Sequence, residues 1–232
     1  MNGFLIVNKD LGYTSRDVVN IVSKTLGTKK VGHTGTLDPM ASGVLVLCVG
    51  NGLKLCELLT NHDKEYIASV TLGIETDTLD MDGTVLSTEV VDIDKNKIIE
   101  VVNSFCGSYL QEVPKYSAVK VNGKKLYEYA RSNIEVKLPS KMVTISSIEI
   151  IDNIEYIDGK INFKIKATVS KGTYIRSLVR DIGKKLGCPS VMSGLVRTRV
   201  GEFKLDNASE LKLGDKITCE IFAEGDLVDV VG

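Results

Sequence analysis

A glycine-rich segment near the start of the chain holds the first residues suited to chemistry. Residues 32–43 read GHTGTLDPMASG and combine three glycines with His33 and with Asp38, which precedes a proline. Glycine lets a ligand approach the backbone closely, and rigid flanking elements can hold a loop aspartate at the mouth of a cleft. Asp-Pro is also common in simple turns, which leaves that alternative open. The segment matches neither a phosphate-binding loop nor a dinucleotide motif.

An acidic segment farther along the chain is a candidate metal loop. Residues 78–83 read TLDMDG and, with Glu89, place Asp, Asp, Gly and Glu at four positions of a calcium-binding EF-hand loop. Thr78 stands where the first aspartate of such a loop belongs, and the preceding stretch alternates like a strand rather than a helix. The pattern therefore favours a turn, and no metal site is predicted.

A third candidate lies where a helix is expected to begin after a basic strand. Arg176 falls in the expected first turn together with Tyr174, although the helix dipole disfavours cations there. An arginine at this place fits a specific anion, either a carboxylate of the protein or a phosphate of a ligand, and a simple surface arginine is the alternative. Ser-His-Asp hydrolysis has weak support, because His62 lies in a polar turn and no G-x-S-x-G motif is present.

The hydrophobic pattern predicts the elements that position these candidates. Strands are expected near 4–7, 44–49, 64–72, 143–151, 161–169 and 195–203, and helices near 18–26, 53–59, 95–105, 126–131 and 173–186. Thr14 or Ser15 is expected to cap the first helix and Gly187 to end the last. A hairpin with Asp158-Gly159 is expected between the two long strands. Strands and helices without strict alternation predict an α+β fold on one extended sheet.

Composition excludes several classes of protein. The 232 residues are 43% hydrophobic and 25% charged, which is typical of a globular protein. No apolar run approaches the roughly 18–20 residues of a membrane span, and the start is too quickly polar for a signal peptide. Five scattered cysteines and two histidines do not suggest a zinc cluster. We expect a cytoplasmic protein with reduced thiols.

Charge is segregated along the chain although the net charge is −1. Residues 160–199 contain ten lysines and arginines and one acid, whereas residues 63–100 contain ten acids and three lysines. Such segregation can give a nearly neutral molecule a basic surface, which is the electrostatic footprint of a polyanion site. Charges that merely solvate helices and strands would give the same pattern, so charge alone leaves both readings open.

Taken together, these segments resemble the TruB family of pseudouridine synthases, which isomerise a uridine in the T-loop of tRNA. The resemblance covers about residues 3–203. It rests on motifs in the order of the family, which are GHTGTLDPMASGVL at 32–45, KEY at 64–66, LG at 72–73, TDTLD at 76–80, YSAVK at 116–120, KLYEYAR at 125–131, GTYIRSL at 172–178 and LVRTR at 195–199. It implies a pseudouridine-synthase fold, with one extended mixed, largely antiparallel sheet flanked by helices and an insertion loop that grips RNA.

The resemblance also implies roles in catalysis. Asp38 would be the catalytic aspartate, Arg176 its salt-bridge partner, and Tyr66 the ring that stacks on the target base. An arginine keeps a neighbouring carboxylate ionised, and aromatic stacking offsets part of the cost of flipping a base out. The aspartate would attack the nucleotide or stabilise the sugar while the glycosidic bond breaks, and both routes stay open. Such an isomerisation requires no cofactor and no metal.

Substrate binding is implied in the same way. His33, Tyr174 and Leu195 would line the nucleotide pocket, and the basic stretches 115–141 and 160–199 would bind backbone phosphates of the tRNA T-arm. We expect a monomer with no membrane partner.

The expected domain organisation is a catalytic domain at 1–204 and a short acidic tail at 205–232. Relatives usually continue into a β-rich RNA-binding domain of the PUA type, and the 29 residues after Phe203 are too few for one. The chain also has Lys9-Asp10-Leu11-Gly12 where relatives often have Lys-Pro-x-Gly. We expect this departure to change only the stiffness of a turn.

Three functional hypotheses follow: a catalytic synthase, a non-catalytic RNA-binding or RNA-folding module on the same fold, and a small-molecule hydrolase. The combination of Asp38, Tyr66 and Arg176 favours the synthase over the module, because a protein that only binds RNA does not need the aspartate. The hydrolase lacks a nucleophile motif.

Overall fold

The structure is a computed structural model that describes residues 2–210. The greater part of the expected acidic tail, from residue 211 onward, lies outside the described residues.

The described residues form strands, five α-helices and two short 3-10 helices. The strands are β1 Gly3–Lys9, β2 Val31–His33, β3 Ala41–Val49, β4 Lys64–Leu72, β5 Ile74–Thr76, β6 Val85–Thr88, β7 Gly107–Glu112, β8 Lys120–Val121, β9 Lys124–Lys125, β10 Ser140–Ile150, β11 Glu155–Ile157, β12 Lys160–Val169, β13 Ser190–Val200, β14 Phe203–Lys204 and β15 Ser209–Glu210. The α-helices are α1 Ser15–Thr25, α2 Cys56–Thr60, α3 Lys95–Asn103, α4 Leu126–Arg131 and α5 Ile175–Leu186, and the 3-10 helices are Gly50–Leu55 and Leu205–Asn207.

The described residues divide into two compact units, one formed by residues 2–67 and 195–210 and the other by residues 68–194. Strands β4 and β13 contribute residues to both units. In the first unit, β1 pairs antiparallel with β3 along its whole length, from Gly3 opposite Val49 to Lys9 opposite Gly43. Strand β2 also pairs antiparallel with β3, whereas β13 runs parallel to it.

The core of the first unit lies on both faces of β1 and β3. Because side chains alternate along a strand, Leu5 and Val7 face one cluster with α1, and Phe4 and Ile6 face a second. Burial on both faces explains why these strands are almost continuously apolar in sequence.

Helix α1 begins at a side-chain cap. The Thr14 hydroxyl accepts a hydrogen bond from Asp17 N at 3.1 Å, and the Asp17 carboxylate accepts one from Thr14 N at 2.9 Å. This reciprocal capping satisfies two backbone donors at the helix start. Of the two expected caps, Thr14 is therefore the one used.

The second unit is built on antiparallel pairs. Strand β10 pairs with both β7 and β12, and β12 also pairs with β11. Helices α3 and α5 pack against each other, and they contact β10 and β7 respectively. Helix α5 ends at Gly187, whose φ of 80° is the left-handed conformation of a glycine helix stop.

The predicted α+β fold with a mixed, largely antiparallel sheet is confirmed. The described pairings are antiparallel except those of β1 with β15 and of β3 with β13. The predicted bounds of β4 and α4 match the structure. No helix within residues 2–210 is long and apolar enough to cross a membrane.

Four details of the prediction were wrong. Helix α5 begins at Ile175, so Tyr174 is its N-cap rather than a first-turn residue. Asp158-Gly159 joins β11 to β12 rather than the two long strands, because a short strand intervenes. The first part of the expected helix 53–59 is a 3-10 helix. The glycine-rich segment is irregular only at 34–40, because its two ends belong to β2 and β3.

Candidate active site

Residues 34–40, which we call the Asp38 loop, connect β2 to β3. Ser15, at the start of α1, fastens this loop to the helix. Its hydroxyl accepts a hydrogen bond from Leu37 N at 2.8 Å and lies 3.2 Å from Leu37 O, to which it donates. Both residues are buried, so the loop is held by a contact that is shielded from water.

Two backbone hydrogen bonds hold the residues next to the carboxylate. Gly12 N donates to Pro39 O at 2.8 Å, and Ala41 N donates to Asp38 O at 3.0 Å. The Asp38 side chain itself is half-buried. The loop therefore combines a fixed backbone with a carboxylate that is only partly withdrawn from solvent.

A buried ammonium group lies within electrostatic range of Asp38. Lys9 is fully buried and donates from Nζ to Tyr13 O at 2.8 Å and to Asp10 O at 3.0 Å. Burial lowers the pKa of Lys9 to about 8, while the negative charges of Asp10 and Asp38 act in the opposite direction. Sequence analysis treated Lys9 only as part of a turn. In the structure, Lys9 is a positive charge within electrostatic range of Asp38.

His33 ends β2, immediately before the Asp38 loop. Its carbonyl accepts a hydrogen bond from Cys56 Sγ at 3.3 Å. Burial lowers the pKa of the imidazole, and the charges of Arg16 and Arg197 lower it further. Nδ1 is buried and has no hydrogen-bond partner among the described residues. At neutral pH the ring is therefore uncharged, and one of its polar atoms is buried without a hydrogen-bond partner among the described residues.

Tyr66 and Leu195 lie on strands rather than on loops. The half-buried Tyr66 is near the start of β4, and Lys64, two residues earlier, donates to Thr60 O and to His62 O, both at 2.6 Å. Leu195 is buried and pairs with Ala41, the residue at which the Asp38 loop enters β3. Strand pairing thus places Leu195 beside one end of the loop.

Arg176, in the second unit, is buried at the start of α5. Its guanidinium donates to Thr78 O at 2.9 Å and to Tyr116 O at 3.2 Å, and Nη1 lies 3.3 Å from Asp80 Oδ2. The surface-arginine alternative is wrong, because the side chain is only 9% exposed. Of the two predicted kinds of anion, a carboxylate of the protein is present, namely that of Asp80. The pairing of Arg176 with Asp38 stays a prediction.

Residues 77–83, which we call the Asp80 turn, form the turn that the sequence favoured over a calcium loop. Asp80 Oδ1 accepts from Thr78 Oγ1 at 2.6 Å and from Asp82 N at 3.2 Å, while the buried Thr76 hydroxyl donates to Asp80 O at 2.7 Å. The carboxylate is thus bonded within the turn as well as to Arg176. Within residues 2–210, no group of three or more His, Cys, Asp or Glu side chains is placed to hold a metal ion.

Tyr174 is positioned through its backbone. Gln111, a buried residue of β7, accepts from Tyr174 N at 2.8 Å and donates to Tyr174 O at 3.1 Å. These two bonds satisfy the backbone of the N-cap residue in place of a capping side chain, and the Tyr174 ring remains half-buried.

Sequence analysis did not identify Arg197 as a site residue. It is 1% exposed, and it donates from Nε to Val44 O at 2.7 Å and from Nη2 to Gly35 O at 3.2 Å. In a chain segment rich in basic residues, nothing in the local pattern distinguishes a buried arginine from an exposed one.

Two models of known protein families match this chain. The family model for the TruB family pseudouridylate synthase (N terminal domain) matches residues 23–175. The model for the tRNA pseudouridylate synthase B C-terminal domain matches residues 176–219.

The chain belongs to the TruB family.

Curated relatives in the TruB family are named tRNA pseudouridine synthase B. The tRNA pseudouridine synthase B of Bacillus subtilis (strain 168) is 50% identical over 208 residues, which are 89% of this chain and 67% of the relative. That of Geobacillus thermodenitrificans (strain NG80-2) is 47% identical over 215 residues, which are 91% of this chain and 71% of the relative.

Two solved structures have a similar fold. A chain in the crystal structure of a Cbf5-Nop10-Gar1 complex is 31% identical with a TM-score of 0.69, over 90% of this chain and 52% of that chain. A chain in the structure of an H/ACA RNP bound to a substrate RNA containing 2'-deoxyuridine is 28% identical with a TM-score of 0.65, over 90% and 50%. This chain therefore spans about half the length of each of those chains.

Proposed function

We propose that this member of the TruB family converts a uridine in the T-loop of tRNA, at position 55, to pseudouridine, with Asp38 as the catalytic carboxylate. The observation that carries the proposal is the Asp38 loop, whose backbone is hydrogen-bonded on both sides of a half-buried carboxylate. A fixed backbone reduces the cost of bringing a reacting group to its target. The names of the relatives support tRNA as the substrate.

The reaction exchanges one bond of the nucleotide for another. The bond between the sugar and N1 of uracil breaks while Asp38 attacks the nucleotide or stabilises the sugar. The base then rotates, C5 forms the new bond to the sugar, and the hydrogen on C5 is released as a proton. Because nothing is oxidised and no group is transferred from outside, the proposal includes no cofactor.

Tyr66, Leu195 and His33 would contact the target base. Flipping a uridine out of its loop costs a few kcal/mol, and stacking on Tyr66 would return about 1–3 kcal/mol of it. Leu195 would provide an apolar wall beside the loop end. His33, uncharged at neutral pH, would offer its unsatisfied Nδ1 to a polar group of the nucleotide.

Two residues at the start of α5 would also take part in the reaction. We propose that Arg176 keeps Asp38 ionised in addition to its contact with Asp80, since a neighbouring cation favours the charged form of a carboxylate. The Tyr174 ring, at the start of the same helix, would complete the pocket. The backbone bonds of Gln111 to Tyr174 would keep this ring in place.

Basic side chains would bind the backbone phosphates of the T-arm. Within 115–141, six lysines and arginines are exposed, namely Lys115, Lys120, Lys124, Arg131, Lys137 and Lys141. Such contacts raise affinity and make it dependent on salt. The proposal also includes catalysis within residues 1–204 and action as a monomer in the cytoplasm.

The decisive experiment is release of tritium from a tRNA transcript that carries uridine labelled at C5. We expect release of one tritium per tRNA, and none from a transcript in which the uridine at position 55 is replaced by cytidine. Release that is unchanged in the cytidine transcript would contradict the position. RNA binding without release from any tRNA would favour the non-catalytic RNA-binding module instead.

A further inference from the structure

We propose that Arg197 is a positioning residue that sets the conformation of the Asp38 loop and thereby the placement of the Asp38 carboxylate. Its effect on turnover rests on the proposed function, whereas its effect on the loop does not.

The first observation is a buried charge whose hydrogen bonds go to the backbone. Arg197 is 1% exposed, and both of its side-chain hydrogen bonds go to carbonyls, Val44 O and Gly35 O. A buried guanidinium is costly unless its donors are satisfied. Arg197 therefore has a high desolvation cost at a position where an apolar residue would fill the core at a lower free-energy cost.

The second observation is where the two carbonyls lie. Gly35 is within the Asp38 loop, and Val44 is in β3, beyond the point at which the loop ends. A single planar group thus connects the loop to the strand that follows it. Ser15 fastens the middle of the loop at Leu37, and Arg197 fastens the part that precedes it.

The third observation is the close approach of the two backbones. Arg197 pairs with Gly43 across β13 and β3. A Cβ on Gly43 would lie 2.2 Å from Arg197 O, and the φ of Gly43 is +105°. Gly43 allows β13 to approach β3 this closely. The approach brings the Arg197 side chain within hydrogen-bond distance of Gly35 O in the Asp38 loop. The close approach at this register therefore requires a glycine at position 43.

The fourth observation is electrostatic. The charge of Arg197 lowers the pKa of His33 and that of Lys9. The guanidinium therefore acts electrostatically on two groups. One is His33, which precedes the Asp38 loop, and the other is the Lys9 ammonium, which is within electrostatic range of Asp38. Removing the charge should raise the pKa of His33, which gives a readout independent of turnover.

Lysine cannot reproduce this arrangement in full. A guanidinium donates in two directions from one rigid plane, whereas an ammonium is a compact charge on a flexible stem. Arg197→Lys therefore keeps the charge and loses one of the two fixed contacts. Arg197→Met removes both the charge and the contacts while keeping an unbranched side chain.

The test compares Arg197→Met and Arg197→Lys with Lys204→Met. Lys204 lies on β14, which pairs with β13, and it is exposed. For Arg197→Met we expect the single-turnover rate on a saturating T-arm stem-loop to fall about 10²-fold, the scale of a misplacement of about 1 Å. The dissociation constant of the stem-loop should change much less, because phosphate contacts dominate affinity. The single-turnover rate of Arg197→Lys should lie between those of wild type and Arg197→Met.

Two further measurements examine the loop itself. Amide hydrogen exchange at residues 34–40 should be faster in both Arg197 variants and unchanged in Lys204→Met. In an NMR titration, the pKa of His33 should rise in Arg197→Met, with His62, the other histidine of the chain, as the reference. If Arg197→Met does not fold, Arg197→Lys provides the same comparison of rate and exchange.

The outcomes separate this inference from the proposed function. A rate and an exchange pattern in Arg197→Met equal to those of Lys204→Met would overturn the positioning role. If the wild-type protein releases no tritium from any tRNA, the proposed function fails, and the exchange at 34–40 still decides whether Arg197 sets the loop.

Discussion

The Asp38 loop and the Asp80 turn each carry an aspartate and are each stabilised by a buried arginine, but the two arginines are used differently. Within residues 2–210, the side chain of Arg197 donates only to backbone carbonyls of the Asp38 loop and of the strand that follows it. Arg176 donates to a backbone carbonyl of the Asp80 turn and also pairs with the carboxylate at 3.3 Å. The first arrangement fixes a backbone, and the second fixes a side chain.

This difference assigns different tasks to the two aspartates. The Asp80 carboxylate is nearly fully buried and is bonded within its own turn as well as to Arg176. Such a group mainly stabilises structure, because removing it takes a carboxylate partner from a buried cation. Asp38 is half-buried on a backbone that other residues hold. It is the carboxylate whose loss should affect chemistry more than stability.

The largest expected effect is that of Asp38→Asn. We expect the single-turnover rate on tRNA to fall by more than about 10³-fold, as for the loss of a reacting group. Affinity should stay within about tenfold of wild type, because phosphate contacts dominate it. Tritium release and filter binding measure the two quantities. A variant that retains more than a few per cent of the wild-type rate would show that another group does the chemistry.

Asp80→Ala should have the largest effect on stability. Removal of one partner from a buried ion pair costs about 3–5 kcal/mol, and urea denaturation measures it. The control is Asp82→Ala, two residues away and exposed, which should change the free energy of unfolding by no more than about 0.5 kcal/mol. If Asp38→Asn destabilises the protein as much as Asp80→Ala does, the distinction between the two aspartates is wrong.

The sequence identifies the Asp38 loop more readily than the contacts that hold it. Glycines, a histidine and Asp-Pro between two regular elements are a local signal, and the strands and the capped helix around them have their own periodicity. The pairing of Arg197 with Val44 joins residues 153 positions apart, and it depends on the register of two parallel strands. No local pattern specifies that register.

Arg176 and Asp80 illustrate the same limit. A cation in the first turn of a helix predicts an anion nearby, and the structure bears this out with Asp80. Which anion it is depends on a turn that lies almost a hundred residues earlier, since Thr78 and Arg176 are 98 positions apart. Lys9 was not identified as a site residue for a related reason, because a lysine in a polar stretch gives no sign that two carbonyls hold it in the core.

Ser15→Ala tests the middle of the Asp38 loop. Removing the hydroxyl leaves Leu37 N and O without their buried partner, at a cost of about 1–3 kcal/mol. Hydrogen exchange at Leu37 should become faster, and the single-turnover rate should fall, although less than in Asp38→Asn. The control is Ser23→Ala, a half-buried serine of the same helix. Equal exchange at Leu37 in the two variants would mean that other contacts hold this part of the loop.

The most gradual expected effect concerns Lys9 and the pH dependence of stability. Because burial lowers the pKa of Lys9 to about 8 from 10.5, the folded protein releases this proton at a lower pH than the unfolded chain. Between these two values the unfolded state binds more protons, so the contribution of Lys9 to stability rises with pH, by at most about 1.4 kcal/mol per pH unit. Urea denaturation of wild type and Lys9→Met between pH 7 and pH 10 measures it, because groups that titrate in both proteins cancel in the difference. Wild type should gain stability relative to Lys9→Met above about pH 8. Lys24→Met, at an exposed position of α1, controls for the loss of one positive charge from the surface. Parallel curves for wild type and Lys9→Met would show that the buried ammonium beside the Asp38 loop titrates no differently in the folded and unfolded states.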